Sequence, residues 1–184
     1  AVCMMITMLP LSAVTAFAAD TASSTVRTAI VDGYKYEYKV NEADNTATIT
    51  KFLGPDGSAK STGSYDIKIP EKIHEKSGDY TVTAIGDDAF RGCSALKKVT
   101  IPQSVTSIGD SAFAGCQNLD SVTIKDAATS IGSWAFDECY KLTTLSLGKN
   151  ITTIGDYAFL DCRILDNVTI PPVLGPLSAS NRRL

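Results

Sequence analysis

The sequence has little of what an active site needs. It contains one histidine, His74, in 184 residues, and it lacks G-x-S-x-G, P-loop, H-E-x-x-H and paired Cys–His motifs. A metal or catalytic role for His74 requires partners, and its neighbourhood offers no second histidine, no cysteine and only scattered carboxylates. We therefore expect an exposed loop histidine, no cofactor or metal, and a chain that is not an enzyme.

An excess of one charge sign is also missing. The formal net charge is −3, and basic and acidic residues are mixed along the chain. Proteins that bind nucleic acid or an anionic membrane surface present clustered Lys and Arg side chains. The charge pattern therefore argues against both kinds of partner.

The N-terminus differs in composition from the remainder. Residues 1–19 contain no charged side chain, and the apolar run ends in the small-x-small sequence Ala16-Phe17-Ala18. This pattern predicts a secretory signal peptide over residues 1–18. Because the initiator methionine and a basic segment are missing, we expect this signal peptide to be truncated at its start.

A membrane anchor is the alternative interpretation of the same run. The run is barely long enough to span a bilayer, and it contains Pro10. Cleavage after Ala18 would leave a linker at residues 19–31 and no membrane-inserted segment. We therefore expect the mature protein to be secreted or displayed on the cell surface.

One phrase occurs four times at an unbroken interval of 23 residues. The copies read IGDDAFRGCSALKKVTI from Ile85, IGDSAFAGCQNLDSVTI from Ile108, IGSWAFDECYKLTTLSL from Ile131 and IGDYAFLDCRILDNVTI from Ile154. A fixed period of this length is typical of leucine-rich repeat solenoids, in which each coil packs on the next. We expect such a solenoid over residues 65–171, mainly β with one short helical turn in each coil.

The positions within a repeat have separate physical roles. Leu96, Val99 and Ile101 follow the L-x-x-L-x-L spacing of a strand whose alternate residues point inward, so equivalent strands should form a parallel sheet. We expect Gly109 to permit a tight bend and Asp110 to cap the amides of the helical turn.

Phenylalanine and cysteine recur at the same interval. Equivalent side chains in a stack are parallel, so the rings should form one column. For the same reason the cysteines should be buried free thiols, unable to pair as disulfides or to surround a zinc ion. The two sets are Phe90, Phe113, Phe136, Phe159 and Cys93, Cys116, Cys139, Cys162.

The flanking segments depart from the period. The alternating sequence YKYEYKV, a turn and a β-branched segment predict an N-terminal β-hairpin cap and loop over residues 32–64, with its tyrosines covering the open end of the solenoid rather than stacking on sugars. Residues 65–84 read as a damaged repeat, in which nine additional residues around His74 form a polar loop. No further copy follows, so residues 172–184 should be an irregular tail without a cap.

At this point the residues resemble a known family. The pattern IGxxAFxxCxxLxxVxIPxxVTx resembles the BspA-like, or Treponema pallidum type, leucine-rich repeats over residues 65–171. The preceding GYKYEYKVNEADNTATIT resembles the leader that such bacterial proteins place before their repeats. The resemblance implies a secreted or surface-displayed protein, often part of a longer chain, that is associated with adhesion to host or matrix proteins.

The sheet face of the solenoid is the expected binding surface, because solenoids present extended concave surfaces. Its outward positions form two columns of mostly short polar side chains, which suit a protein or a glycan. The columns are Lys98, Ser121, Thr144, Asn167 and Thr100, Thr123, Ser146, Thr169. The alternative is that threonine and serine simply favour exposed strand positions.

Two aromatic residues vary outside that face. Trp134 and Tyr157 follow the capping position of their repeats, and they are either anchors for a ligand or partly buried packing residues. For the chain as a whole we expect a non-catalytic extracellular binding or adhesion module, whose partner is a host or matrix protein or a glycan. The alternative is the non-catalytic repeat region of a larger secreted enzyme or cell-wall-associated protein.

Overall fold

Two β-sheets enclose one continuous core built from stacked coils. The computed structural model describes residues 25–57, 63–174 and 178–181, so the expected signal peptide lies outside the described part. Within these ranges no helix is long and apolar enough to cross a membrane. The elements are β1 (Arg27–Val31), β2 (Tyr34–Asn41), β3 (Thr46–Pro55), β4 (Tyr65–Lys68), β5 (Lys72–Glu75), β6 (Gly78–Ile85), β7 (Leu96–Ile101), β8 (Ser107–Ile108), β9 (Ser121–Ile124), β10 (Ser130–Ile131), β11 (Thr144–Ser146), β12 (Thr153–Ile154), β13 (Asn167–Thr169) and a 3-10 helix at Ala179–Asn181.

The smaller sheet has the order β13-β11-β9-β7-β4, and all of its strands are parallel. Val122 of β9 lies opposite Val99 of β7 and Leu145 of β11, so each strand pairs with its counterpart 23 residues away. This in-register pairing confirms the repeat solenoid predicted from the period.

The larger sheet has the order β1-β2-β3-β6-β8-β10-β12, with β5 paired to β6. Its first three strands are antiparallel to one another. From β3 onward, β6 and the short strands β8, β10 and β12 add in parallel. The antiparallel part covers the N-terminal end of the coils.

The predicted core positions are buried. Leu96, Val99 and Ile101 of β7 are at most 1% exposed. The phenylalanine column is also confirmed, with ring centroids 4.9, 5.1 and 5.3 Å apart from Phe90 through Phe159. The core is therefore an axial stack that lengthens by one layer with each repeat.

The cysteines of the repeats are free thiols, as predicted. Cys116 and Cys139 are fully buried, and their Sγ atoms donate to the carbonyl oxygens of Phe90 and Phe113 in the preceding coil, at 3.2 and 3.4 Å. Burial raises the pKa of Cys93 to about 11. The sulfurs therefore remain protonated and pack as small apolar groups.

The segment expected to form a helical turn is instead a pair of tight turns. Asp88 and its counterparts have positive φ, and hydrogen bonds join Ala89 N to Gly86 O and Arg91 N to Asp88 O. Asp87 does not cap its own turn. Its Oδ1 accepts from the amide of Asp110 in the next coil, at 2.8 Å, so the repeated aspartate links neighbouring coils.

The role expected for Gly109 is also corrected. Its φ is not in the left-handed region, so no bend requires glycine. A Cβ at this position would lie 2.4 Å from Asp87 Oδ1 and 2.7 Å from the carbonyl carbon of Gly86. Glycine is needed because successive coils approach too closely for any side chain.

The N-terminal cap contains more strands than the expected hairpin. Residues 27–31, assigned to a linker from the sequence, form β1, which pairs with β2. In β3, Phe52 stacks on Phe90 with centroids 5.0 Å apart, and its amide donates to Ala89 O at 2.7 Å. Phe113 donates to Ala135 O at the same distance, so β3 imitates a preceding coil and starts the aromatic column.

The nine additional residues do not form a loop. They fold as a β-hairpin, because β5 pairs antiparallel with the first half of β6. Ile73 is fully buried and Tyr80 is 3% exposed, so alternate residues of this polar segment reach the core. His74 lies on the outward side of β5.

The C-terminal segment is also more ordered than an irregular tail. Leu174 N donates to Pro171 O, as Val105 N donates to Pro102 O in the first complete repeat. Asn181 is 2% exposed, and its Nδ2 donates to Gly155 O at 2.6 Å. The described part of the tail begins another coil and covers part of the last complete one.

Candidate functional site

The eight residues expected to bind a ligand lie together on the outer face of the five-stranded sheet. Strand pairing places Lys98 beside Ser121 and Thr100 beside Thr123. The same register continues through β11 and β13, so two parallel columns form. The polar face consists of Lys98, Thr100, Ser121, Thr123, Thr144, Ser146, Asn167 and Thr169.

The first residue of each column lies on β4 and was not predicted from the sequence. β4 pairs with β7, and it adds Asp66 beside Lys98 and Lys68 beside Thr100. The only signal for them was the similarity of IKIP in β4 to VTIP in β7. The polar face therefore begins with one acidic and one basic side chain before it becomes mostly hydroxyl.

A pocket of about 500 Å³ lies at the edge of the sheet where the strands begin. Lys141 Nζ donates to Asn118 Oδ1, and Asn118 Nδ2 donates to Ser94 O, both at 2.7 Å. These bonds between coils hold the polar groups in place before any ligand arrives. The lining residues are Ser64, Lys97, Asn118, Asp120, Lys141, Thr143 and Ile164.

The pocket presents both charge signs together with hydroxyl and amide groups. Thr143 Oγ1 donates to Asp120 Oδ1 at 2.7 Å, which orients the carboxylate. Lys97 is exposed beside it. Such a lining suits a ligand with both hydrogen-bond donors and acceptors, such as a peptide or a glycan.

His74 is surface-exposed, as expected, although it lies in a strand rather than a loop. Its Nδ1 lies 2.6 Å from Asp79 Oδ1. Within the described ranges no three His, Cys, Asp or Glu side chains are grouped so that they could hold a metal ion.

The densest charge cluster joins the cap to the β5–β6 hairpin. Arg27 forms ion pairs with Glu42 and Glu75, at 2.7 and 3.2 Å. Tyr38 donates to Glu75, and Tyr80 donates to Glu42. These hydrogen bonds and the Arg27 guanidinium lower the pKa of both glutamates. The Tyr38 and Tyr80 hydroxyls and both glutamate carboxylates are bonded within the cluster. The cluster therefore connects segments that are far apart in the sequence.

Trp134 and Tyr157 are not packing residues of the core. They are 42% and 43% exposed, and their rings stack on each other with centroids 5.7 Å apart and planes inclined by 14°. Both belong to the turns that connect the larger sheet to the smaller one, and they are therefore separate from the polar face.

The repeats match a known protein family over most of the chain. The family model described as the BspA type leucine-rich repeat region matches residues 64–179, with six copies. The chain belongs to the BspA type leucine-rich repeat family. The match continues beyond residue 171, which agrees with the start of another coil after Pro171.

Solved structures of other leucine-rich repeat proteins share this fold. A leucine-rich repeat protein of T. pallidum is 26% identical with a TM-score of 0.66, and the alignment covers 76% of this chain and 60% of that one. A leucine-rich repeat protein from Bacteroides capillosus ATCC 29799 is 28% identical with a TM-score of 0.61, over 78% of this chain and 97% of that one.

A leucine-rich cell surface protein from Faecalibacterium prausnitzii A2-165 is 30% identical with a TM-score of 0.56. The alignment covers 83% of this chain and 45% of that protein, so the BspA type chain spans less than half of it. No curated protein sequence matches the chain significantly.

Proposed function

We propose that this chain is a non-catalytic binding module of a secreted or surface-displayed bacterial protein, and that it contacts a host or matrix protein through the polar face. Membership of the BspA type family supports a repeat module. The similar F. prausnitzii chain is described as a cell surface protein, which supports the same location here.

One observation favours the polar face as the contact surface. Among the described residues, the only hydrogen bond within the chain that uses one of its eight side chains joins the Thr143 and Thr144 hydroxyls, at 3.4 Å. By contrast, the exposed hydroxyls of Thr129 and Thr152 next to the larger sheet donate to carbonyl oxygens of the preceding coil. The groups of the polar face are therefore free to bond a ligand.

Binding of the purified chain to an immobilised extracellular-matrix preparation, measured by surface plasmon resonance, tests this proposal. Thr123→Glu and Ser146→Glu lie at the centre of the polar face, and together they should weaken binding about tenfold or more. Ser130→Glu with Thr153→Glu on the larger sheet adds the same charge and should leave binding unchanged. Equal binding by all variants would exclude the polar face.

A glycan is the second ligand class to test. The mixed lining of the edge pocket favours it, because sugar hydroxyls need both donors and acceptors. Treating the matrix preparation with glycosidases should abolish binding if a glycan is the ligand, and should preserve binding if the contact is with protein.

A further inference from the structure

The stacked rings of Trp134 and Tyr157 are not required by the fold. The equivalent residue is Asp88 in the first repeat and Ser111 in the second, and Ser180 takes this position in the tail. All four complete repeats keep the same backbone there, with φ between 52° and 58°. A left-handed φ disfavours bulky side chains, so two adjacent aromatic residues are unexpected at this position on conformational grounds.

In the described part of the chain, serine positions flank the stacked pair on both sides. The neighbour of Trp134 on the N-terminal side is Ser111, and the neighbour of Tyr157 on the C-terminal side is Ser180, whose Oγ accepts from the Tyr157 amide. A serine side chain is too short to cover an aromatic ring. Among the described residues, one face of the indole and one face of the phenol therefore remain available to a flat group.

The turns around this pair are strongly acidic. Residues 86–92, 109–115, 132–138 and 155–161 contain seven carboxylates and one basic side chain, Arg91, whereas the entire chain has a net charge of −3. Hydrogen bonds from Asp88 N to Asp110 O and from Trp134 N to Asp156 O stack these turns on one side of the molecule. The carboxylates are those of Asp87, Asp88, Asp110, Asp137, Glu138, Asp156 and Asp161. Two of them form ion pairs, Asp88 with Arg91 at 2.8 Å and Asp161 with Arg163 at 3.6 Å, and the other five form none with the described residues.

An aromatic face surrounded by carboxylates attracts a cation, and guanidinium fits better than ammonium because it is planar and can stack. The chain already shows this contact between neighbouring coils. The Arg163 guanidinium lies over the Tyr140 ring, 4.7 Å from its centroid. An arginine supplied by another molecule would meet the same chemistry at Trp134.

We propose that the Trp134–Tyr157 pair is a docking site for an arginine side chain of a basic protein partner. The aromatic rings hold the guanidinium, and the carboxylates of the surrounding turns attract the neighbouring basic residues. This site is separate from the polar face, so it does not depend on the function proposed for that face.

Hexa-arginine is a suitable probe, and Trp134 is a built-in reporter because it is the only tryptophan of the chain. At low ionic strength, hexa-arginine should change the Trp134 fluorescence saturably and should bind more tightly than hexa-lysine of equal charge. Unchanged fluorescence at saturating peptide would contradict the proposal. A response to a neutral oligosaccharide in place of hexa-arginine would assign the rings to a sugar.

The variants follow substitutions that the repeats themselves contain. Trp134→Ser and Tyr157→Ser, which copy Ser111, should each weaken binding of fluorescein-labelled hexa-arginine about two- to fivefold in an anisotropy titration. The double variant Glu138→Gly with Asp161→Gly copies Gly92 and Gly115. It should weaken the binding of both hexa-arginine and hexa-lysine, and it should make their affinity less dependent on salt.

Two controls separate stacking from general attraction. Asp66→Asn with Asp166→Asn removes two carboxylates from the other side of the molecule, and it should have a smaller effect than the paired glycine substitutions. Circular dichroism should show that all variants remain folded. If both serine variants bind hexa-arginine as the unmodified chain does, binding is diffuse and the proposed site is wrong.

Discussion

Each buried thiol of the core donates its hydrogen to a phenylalanine carbonyl of the preceding coil. Cys162, near the end of the stack, also makes this bond, to Phe136 O at 3.2 Å. Burial raises the pKa of Cys162 to about 12, so the thiolate that reacts with oxidants or metals does not form near neutral pH. At the residue scale, cysteine therefore contributes its small size and its weak S–H donor.

Gly109 provides the sharpest test at this scale. Gly109→Ala places Cβ within 2.6 Å of the Asp87 amide nitrogen, and neighbouring backbone cannot move without separating two coils. We expect the free energy of unfolding to fall by about 3 kcal/mol, at the upper end of the usual cost of overpacking. Urea denaturation followed by circular dichroism measures it.

Gly86→Ala is the matched control, because Gly86 faces the cap instead of a regular coil. Its nearest contact for a Cβ is Ile49 O at 3.1 Å, which a small shift of the strand can relieve. We expect a loss below about 1 kcal/mol, partly offset by the lower entropy of the unfolded chain. Equal losses at both positions would show that close stacking is not the reason for the glycine.

At the scale of elements, the cap depends on charges that come from three separate segments. Arg27 lies on β1, Glu42 follows β2, and Glu75 lies on β5. Hydrogen bonds from Tyr38 to Glu75 and from Tyr80 to Glu42 complete the connection. The cluster links β1 to the β5–β6 hairpin at the N-terminal end of the solenoid, where no preceding repeat packs on the first coil.

This cluster predicts a pH dependence of stability. The pKa of Glu75 and that of Glu42 are lowered from an ordinary value of 4.5, so the folded state binds their protons less readily than the unfolded state does. Their stabilising contribution is present above pH 4.5 and is lost as the pH falls through the lower folded-state values. Urea midpoints measured from pH 7 to pH 3 should decrease over this window.

Glu75→Gln should lower the midpoint at pH 7 and make the acid decrease shallower, because the residue no longer titrates. Glu71→Gln is the control, since Glu71 is exposed and has only a 3.8 Å ion pair with Lys68. If the urea midpoints of Glu75→Gln fell with pH in parallel with those of the unmodified chain, the role of the cluster would be refuted.

At the scale of the molecule, stability passes from coil to coil, so both ends need cover. The N-terminal end receives it from β3, whose Phe52 enters the aromatic column. At the other end Ser180 and Asn181 bond Tyr157 N and Gly155 O. β13 remains less covered, with Leu165 and Val168 half-buried and Ile170 45% exposed.

The tail should therefore stabilise the last complete coil. Asn181→Ala leaves Gly155 O without its donor and should lower the free energy of unfolding by about 1–2 kcal/mol. Hydrogen exchange should show faster opening at Gly155 through Leu165 and unchanged protection in β7. As a matched control, Asn150→Ala truncates an exposed asparagine outside the tail and should lower the free energy of unfolding less. No change on deleting residues 175–184 would show that the tail is not a cap.

The sequence by itself determined the repeat. An unbroken period of 23 residues makes the partner of every strand a copy of that strand, so the inward positions, the aromatic column and the free thiols could be predicted without coordinates. The eight residues of the polar face followed from the same alternation, because a strand that buries one side exposes the other.

Only the tertiary structure decided the parts that are not copied. The pairing of β1, the β5–β6 hairpin and the contact of Asn181 with Gly155 join residues without a shared pattern, as Arg27 and Glu75 do across 48 positions. From the sequence, Gly109 and the repeated aspartate were expected to act within their own coil. In the structure, Gly109 lies against Gly86 and Asp87 of the preceding coil, and Asp87 accepts from the amide of Asp110 in the next one. The period reveals which residues are equivalent, but only three-dimensional stacking fixes how close equivalent backbones come and which side chains remain outside.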